Sequence, residues 1–600
     1  MPVKELSTES TLKSIAVLPF GNLSANLENE YFCDGITEEI IGALAGIPEL
    51  KVTSRTSSFY FKNQSFSIQE IGHKLAVSHI LEGSVRVAGK TLRISAKLIG
   101  VENDSSFWSQ TWDRPLDNIF EIQDEISLQI AEKIREYVGH LELDEHLAEP
   151  RTQNLKAHEL ILKGRYLFNQ WNPEDANIAI EEFEKALIFD NEAIDAYLGI
   201  ADAYSFLAVA GFAPREAAWS KAIEAINKAK NINPENARLN YMLANQAFFT
   251  EGNYTKAFEY SLRSLKNKPN FSENQQFLSF LYALSGDLNK SKEHLLYAKS
   301  VDPLNPETRF YEAYFYYRSG EDDLALKLIN GLLNENPKNI PALYVKIYIN
   351  IKQKNYTESK RLIEEIPEGL ISPDESLGLQ CLNEAKNDHS VNDLLDELAE
   401  KAKEKEAHHA HAYLFLSYVA LGKNEEAFQT LEKLFDEQSS ILLLSFSDPL
   451  ASELFVHPRY LEYHQRIYQI NEPEQKPQKT ASISLEQAEV SEALEKLRSY
   501  MNAEKPFLDP SLSLRSLAAQ IEIHPNQLSW ILNEQEGKNF NEYINRQRIE
   551  HFKRLVLDKS NAHISIIGLA YESGFNSKTV FNTTFKKLEG VTPSQYQKSH

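Results

Sequence analysis

The chain has 600 residues, 42% of them hydrophobic and 25% charged, and its formal net charge is −23. So long a chain exceeds a single hydrophobic core, and we expect about three or four structural units. The negative charge argues against a surface that coats nucleic acid or an anionic membrane without specificity. No apolar run reaches the roughly 18 residues of a membrane span, so no membrane partner is expected.

The charge is distributed unevenly along the chain. From Ser491 to His600 there are 14 Lys and Arg against 12 Asp and Glu, a balance of +2, and the remaining 490 residues therefore carry −25. Attraction to phosphate is consequently most plausible in this last part. The start of the chain lacks the apolar run of a secretory signal, and the two cysteines form no disulfide framework. These features predict a cytoplasmic protein.

The sequence of residues 1–140 predicts a mixed α/β domain. Ser14–Phe20 is a short apolar run that ends at a Pro and a Gly-Asn turn, as strands do. The segment Leu50–Lys62 is rich in β-branched and aromatic residues. The other predicted elements are helices over 35–47, 68–75 and 117–137, a hairpin formed by 80–87 and 91–101, and a strand over 106–113.

Residues 155–470 are helical and repetitive. Prolines, glycines and small residues each recur with a period of 34 or 35 residues, which predicts pairs of helices that stack into a solenoid. Small residues are expected where two helices cross closely, Gly where the first helix ends, and Pro after the second. The periodic positions are Pro234, Pro269, Pro303 and Pro337; Gly252, Gly286, Gly320 and Gly422; and Ala257, Ser291, Ala325, Ser359 and Ala427.

Residues 471–490 predict a linker, because the stretch NEPEQKPQKTASIS is polar and lacks periodicity. Residues 491–600 then predict an all-α domain of short helices around a long one, Phe540–Leu557.

Three parts of the chain resemble known families. The stretches SIAVLPFGNLS, EYFCDGITEEII, LKVTSRTSSFYFK and FWSQTWDR resemble a TolB-like N-terminal domain, and the 34-residue period resembles the tetratricopeptide repeat. The last 110 residues, ending in FKKLEGVTPSQY, resemble the DNA-binding domain of AraC-type regulators. This resemblance implies two helix–turn–helix units bridged by the long helix. The first would combine Leu514–Ile521 with His524–Leu532, and the second would combine Ile564–Ala570 with Asn576–Phe585. The resemblance implies a multidomain transcription regulator. A TolB-like domain and a repeat solenoid would receive a signal, and a double helix-turn-helix domain would bind double-stranded DNA.

The resemblance also implies which residues contact bases. In the second unit these positions fall on Lys578, Thr579, Asn582 and Thr583, side-chain types that read base edges in a major groove. In the first unit they fall on Asn526, Gln527, Ser529 and Trp530. A solvated or phosphate-contacting role is open for each. Candidates for phosphate contacts, with a solvated face equally open, are Arg546, Arg548, Lys553, Arg554, Lys586 and Lys587.

The first unit departs from the family pattern at three positions. Glu522 stands where many members have Gly, His524 replaces the usual Ser cap, and Trp530 sits where Arg is common. In the second unit, Gly574 gives the turn its backbone freedom, and Asn576 or Ser577 can cap the next helix. These differences make the second unit the stronger candidate for base readout.

No catalytic residue, metal site or cofactor is predicted. The sequence contains no P-loop, no GxGxxG after a strand, no HExxH and no GxSxG. His408, His409 and His411 are not spaced to share one helix face, and no cysteine lies nearby. We therefore expect a non-enzymatic regulator, with a protein or peptide partner in the repeat groove and a homodimer left open. Two alternatives remain: a repeat scaffold with a vestigial DNA-binding domain, and an enzyme hidden in the TolB-like domain.

Overall fold

The computed structural model describes residues 13–24, 29–47, 49–89, 91–102, 104–115, 119–143, 152, 154–170, 172–209, 212–367, 369–387, 391–404, 407, 409–437, 439–470 and 487–599. The chain divides into two compact units: residues 14–119 with 150–473, and residues 1–13 with 120–149 and 474–600. Residues 471–486, most of the predicted linker, and His408 lie outside the described residues.

The larger unit begins with a six-stranded sheet of β1 (Ser14–Val17), β2 (Gly21–Asn22), β3 (Lys51–Val52), β4 (His79–Ala88), β5 (Thr91–Gly100) and β6 (Ser105–Pro115). The strand order is β3-β1-β4-β5-β6, and β2 pairs with β4. Strand β1 is parallel to β3 and β4, with Ile15 opposite Val52 and Ala16 opposite Ile80, whereas β4, β5 and β6 are antiparallel neighbours.

Three helices accompany this sheet: α1 (Glu30–Ala45), α2 (Arg55–Phe59) and α3 (Ile68–Leu75). The predicted hairpin, the third strand and the helix over 68–75 are confirmed. The stretch rich in β-branched residues, Leu50–Lys62, forms only the two-residue strand β3 before α2 begins. The Ser54 hydroxyl accepts a hydrogen bond from the Ser57 amide at 3.2 Å, so a helix cap overrides the local strand composition.

The rest of the larger unit is helical, and consecutive helices pack against each other as the repeat pattern predicts. Its helices are α5 (Leu155–Phe168), α6 (Pro173–Phe189), α7 (Ile194–Val209), α8 (Arg215–Ile232), α9 (Ala237–Phe249), α10 (Tyr254–Asn267), α11 (Ser272–Ser285), α12 (Leu288–Val301), α13 (Pro306–Ser319), α14 (Asp322–Glu335), α15 (Ile340–Lys352), α16 (Tyr356–Glu364), α17 (Pro373–Lys386), α18 (Asn392–Lys401), α19 (Ala410–Ala420), α20 (Asn424–Asp436), α21 (Ser440–Ser445) and α22 (Pro458–Ile467).

The periodic small residues occupy the helix crossings. Ala257, Ser291, Ala325, Ser359 and Ala427 all have zero exposed surface, because neighbouring helices leave no room for a larger side chain. The periodic glycines follow the first helix of a pair with positive φ, and the periodic prolines follow the second helix. The expected roles of these residues are confirmed.

Within the larger unit, the α/β region is joined to the repeats by buried hydrogen bonds. The Ser57 hydroxyl donates to Asp302 at 2.6 Å and accepts from the Leu304 amide at 3.0 Å. The Asn270 amide donates to the Ala45 carbonyl at 2.8 Å. Because buried polar atoms are costly when unpaired, these contacts make the sheet and the repeats one unit.

The smaller unit contains α4 (Ile119–Val138), α23 (Gln487–Ala503), α24 (Leu514–Gln520), α25 (Pro525–Glu534), α26 (Phe540–Leu557), α27 (Ile566–Glu572), α28 (Lys578–Glu589) and α29 (Pro593–Ser599). Both predicted helix–turn–helix pairs are present, and the long helix has the predicted bounds. One apolar cluster lies under the first pair and another under the second. Helix α4 follows the sheet in sequence but groups with the C-terminal helices.

Candidate nucleic-acid interface

Helix α28 of the second helix–turn–helix unit is fixed by an apolar face. Phe581 and Phe585 are fully buried, and their ring centroids lie 4.7 and 5.5 Å from that of Phe552 on α26. The Ser577 hydroxyl caps the helix by accepting from the Val580 amide at 3.4 Å, which confirms one of the two predicted caps. The helix is therefore held in place without using its other face.

The four predicted base-contact residues of the second unit share that other face. Lys578, Thr579, Asn582 and Thr583 have helical spacing i, i+1, i+4 and i+5, which places them on one side. Lys578, Thr579 and Thr583 are exposed, and Asn582 is half-buried. This arrangement presents one cation, one amide and two hydroxyls at the N-terminal part of a capped helix. Their contact with bases stays a prediction.

The turn between α27 and α28 requires glycine. Gly574 has φ +91°, and a Cβ there would lie 2.2 Å from the Phe507 carbonyl oxygen. No L side chain fits such a contact without moving the backbone. The turn predicted from sequence is thus closed by close approach to the segment that precedes the first unit.

Arg548 holds that same segment and is not available for phosphate. Its guanidinium is buried and donates to the carbonyls of Phe507 at 2.7 Å and Asp509 at 2.8 Å. Burial lowers the pKa of Arg548 to about 10. The interpretation of Arg548 as a phosphate-contacting or solvated residue is wrong, because its buried guanidinium joins the two halves of the domain.

The other phosphate candidates differ in how they are paired. Lys553 forms ion pairs with Glu550 at 2.9 Å and Glu589 at 3.0 Å, and Lys587 pairs with Glu542 at 3.2 Å. Among the phosphate candidates, Arg546, Arg554 and Lys586 are exposed and form no ion pair within the described part of the chain.

The first unit has the same plan with a different turn. Glu522 has φ +55°, a conformation that costs energy for any residue other than glycine. The His524 ring accepts from the Asn526 amide at 3.2 Å, so histidine replaces the usual Ser as helix cap. Pro525 occupies the first position of α25, where its missing amide hydrogen is not needed.

The predicted base-contact residues of the first unit are largely covered. Asn526 is 8% exposed and Ser529 is 1% exposed, while Gln527 and Trp530 are half-buried. The Asn526 side chain accepts from the Arg135 guanidinium at 2.5 Å and donates to the Leu143 carbonyl at 3.1 Å. Sequence reasoning missed Arg135 and Leu143, because no local pattern connects residues so far apart in the chain.

Other site types are not found in the part of the chain that the structure describes. It contains no group of three or more His, Cys, Asp or Glu placed to hold a metal ion. Nor does any described helix combine the length and the apolar character needed to cross a bilayer.

Comparison with known proteins places the similarity at the C-terminus. Residues 517–599 match the family model of a helix-turn-helix domain. The melibiose operon regulatory protein of Escherichia coli (strain K12) is 30% identical over 90 residues, which cover 15% of this chain and 29% of that protein. The C-terminal part of the chain thus carries an AraC-type helix-turn-helix domain.

A second similarity reaches beyond this domain. "Putative adenylate cyclase 3" of Rhizobium meliloti (strain 1021) is 32% identical over 240 residues, which cover 40% of this chain and 38% of that protein. The chain thus spans less than two fifths of the length of either relative. Among solved structures, yeast Tom70 is 14% identical, with 73% of this chain and 88% of that chain covered and a TM-score of 0.28. A score this low supports no conclusion about fold or partners.

Proposed function

We propose that the protein is a sequence-specific DNA-binding transcription regulator that reads DNA through helix α28. The observation that carries the proposal is one side of a capped helix on which Lys578, Thr579 and Thr583 are exposed and Asn582 is half-buried, while Phe581 and Phe585 fix the helix from the core. Lys and Asn match acceptor and donor groups of guanine and adenine, and the Thr methyl matches that of thymine. The helix-turn-helix family match supports the same reading.

The charge distribution fits specific rather than unspecific binding. The C-terminal 110 residues carry +2 and the rest of the chain −25, so long-range attraction to DNA is weak. Base contacts then decide occupancy more than phosphate contacts do. A function on DNA also implies a cytoplasmic location.

The TolB-like region and the repeats are proposed to receive the regulatory signal. Helical repeats present extended surfaces suited to a protein or peptide partner. The same proposal includes a homodimer as one oligomeric state of the chain. The match to a protein named as an adenylate cyclase brings no activity to this chain, since it covers 38% of that protein.

The test is selection of bound sequences from random duplex DNA with the intact chain. Selection should yield one recurring sequence, hereafter the selected duplex. Asn582→Ala should weaken binding to it by about 1–3 kcal/mol and leave binding to random DNA nearly unchanged, because one base contact is lost. Gln597→Ala, which removes an exposed amide on α29, serves as the control.

Two outcomes would contradict the proposal. If no sequence is enriched, the scaffold function is favoured and the DNA-binding domain is vestigial. If Asn582→Ala weakens selected and random DNA equally, the residue contacts phosphate or supports the fold instead of reading a base.

A further inference from the structure

Residues 132–143, hereafter the covering segment, comprise the end of α4 and the residues after it, and they contact the first helix of the first unit. The Glu136 carboxylate accepts from the Leu514 amide, at the start of α24, at 2.9 Å. The Arg515 guanidinium donates to Glu132 at 2.9 Å. A carboxylate at a helix N-terminus satisfies a free backbone amide and complements the helix dipole. The covering segment therefore completes α24 instead of merely lying near it.

The same segment also contacts the recognition helix α25. Arg135 is 1% exposed, pairs with Glu132 at 3.2 Å, and donates to the Asn526 side-chain oxygen at 2.5 Å. The Leu143 backbone uses both ends of the same amide, donating to its oxygen at 3.4 Å and accepting from its nitrogen at 3.1 Å. Both groups with which Asn526 would read an adenine are thus already bonded.

Two further contacts extend the covering segment across the unit. Gly139 has φ +122°, and a Cβ there would lie 2.8 Å from the Asn533 side-chain oxygen, so the backbone lies directly on α25. The Asn539 side chain, at the start of α26, donates to the Tyr137 carbonyl at 3.0 Å. The segment thus contacts both helices of the first unit and the long helix α26.

Covering and base readout exclude each other at this surface. The N-terminal part of a recognition helix must enter the major groove, and here that part is bonded to the covering segment. Ser529, one turn further along, is 1% exposed. DNA can reach Asn526 only after the Arg135 and Leu143 contacts break.

We propose that the covering segment is an intramolecular inhibitor of the first helix–turn–helix unit, so that the intact chain reads DNA with the second unit until the segment is released. The proposal rests on the DNA-binding function proposed above. Helix α4 begins at Ile119, and strand β6 ends at Pro115, so a change in the α/β domain has a short covalent path to the segment. Release adds α25 as a second reading helix to a chain that already binds through α28.

The test compares Arg135→Ala with Lys133→Ala in the full chain. Both variants remove one positive charge from α4, but Lys133 pairs with Glu136 on its own helix at 2.6 Å, whereas Arg135 bonds Asn526. Arg135→Ala should bind the selected duplex about tenfold more tightly, because a larger fraction of molecules is competent to use both units. Its footprint should lengthen by about 10 bp, one turn of DNA. Lys133→Ala should change neither.

A second substitution shows whether α25 is engaged. Gln527→Ala should leave the affinity of the parent chain unchanged and should weaken the Arg135→Ala chain by about tenfold, the effect of one lost base contact. Equal effects in both chains would overturn the proposal. Asn582→Ala separates the two claims: if it fails to weaken the parent chain, the DNA-reading function fails, whatever Arg135→Ala does.

Hydrogen exchange shows whether a variant has lost its folded structure. In Arg135→Ala, exchange should accelerate in residues 525–534 and stay unchanged in residues 578–589. Should Arg135→Ala lose structure in both helices, the milder Glu132→Gln, which weakens the Arg515 and Arg135 pairs, takes its place. A folded variant with faster exchange in 525–534 but unchanged affinity and footprint would overturn the proposal.

Discussion

The two helix–turn–helix units share a plan and differ in what surrounds them. In the second unit, α28 buries two phenylalanines and leaves Lys578, Thr579 and Thr583 exposed, with Asn582 half-buried. In the first unit, α25 has the corresponding face against residues 132–143, with Asn526 bonded to Arg135 and Leu143. A helix–turn–helix motif thus defines a recognition helix, whereas the access of that helix to DNA depends on contacts with residues far away in the sequence.

The turns of the two units differ in the same way. Gly574 adopts φ +91° at no steric cost, and Glu522 adopts φ +55° against the preference of its side chain. Strain of this kind persists only where surrounding contacts fix the backbone. The first unit therefore depends on its neighbours more than the second does.

The largest expected effect is on the turn of the second unit. Gly574→Ala should destabilise α27 and α28 by about 3–4 kcal/mol, because the new Cβ meets the Phe507 carbonyl at 2.2 Å in a left-handed conformation. Gly590→Ala is the matched control: its φ is +76°, nothing lies within 4 Å, and about 1 kcal/mol is expected. Hydrogen exchange of residues 566–589 measures both, and equal losses would contradict the steric argument.

The next largest loss of stability is expected when the hydrogen bonds of Arg548, which join the two helix–turn–helix units, are removed. Arg548→Ala should cost about 3 kcal/mol, since two carbonyl acceptors lose a charged donor inside the domain. Arg546→Ala, an exposed neighbour on α26, should change stability by less than about 0.5 kcal/mol. Urea unfolding, monitored by exchange in the C-terminal helices, distinguishes them. A stable Arg548→Ala chain with weaker DNA binding would restore the phosphate interpretation.

The smallest effect has the opposite sign. Glu522→Gly should stabilise the first unit by about 0.5–1 kcal/mol, because glycine removes the strain at φ +55° but loses more chain entropy on folding. Glu572→Gly, at the end of α27, should instead cost about 0.5–1 kcal/mol, since that residue is helical. Exchange protection of α24 and α25 reports the first change. A loss of protection in Glu522→Gly would show that the side chain is needed there.

Sequence predicts the elements whose signals are local. The repeat period rests on small residues at helix crossings, and all five of them are fully buried. The bounds of α26, Phe540–Leu557, follow from helical spacing of apolar residues. The segment Leu50–Lys62, rich in β-branched and aromatic residues, forms only the short strand β3 before α2 begins, because the Ser54 cap competes with β-branched composition.

Such local patterns do not predict that residues 132–143 cover the first unit. Arg135 and Asn526 lie 391 positions apart, and hydrophobic spacing says nothing about which distant groups pair. Glu136 likewise reads as an ordinary surface carboxylate on α4, yet it caps α24. The sequence signal at Glu522 and Trp530 identified the first unit as unusual without indicating what covers it.

The most direct test of the difference between the units is thiol protection by DNA in the intact chain. Thr583→Cys and Gln527→Cys each place one reactive thiol on a recognition helix. The native Cys33 and Cys381 are buried, and burial raises the pKa of Cys33 to about 12, so neither should compete for the reagent. The selected duplex should slow labelling about tenfold at position 583 and hardly at all at position 527, because only α28 enters the groove. Equal protection at both positions would contradict the account.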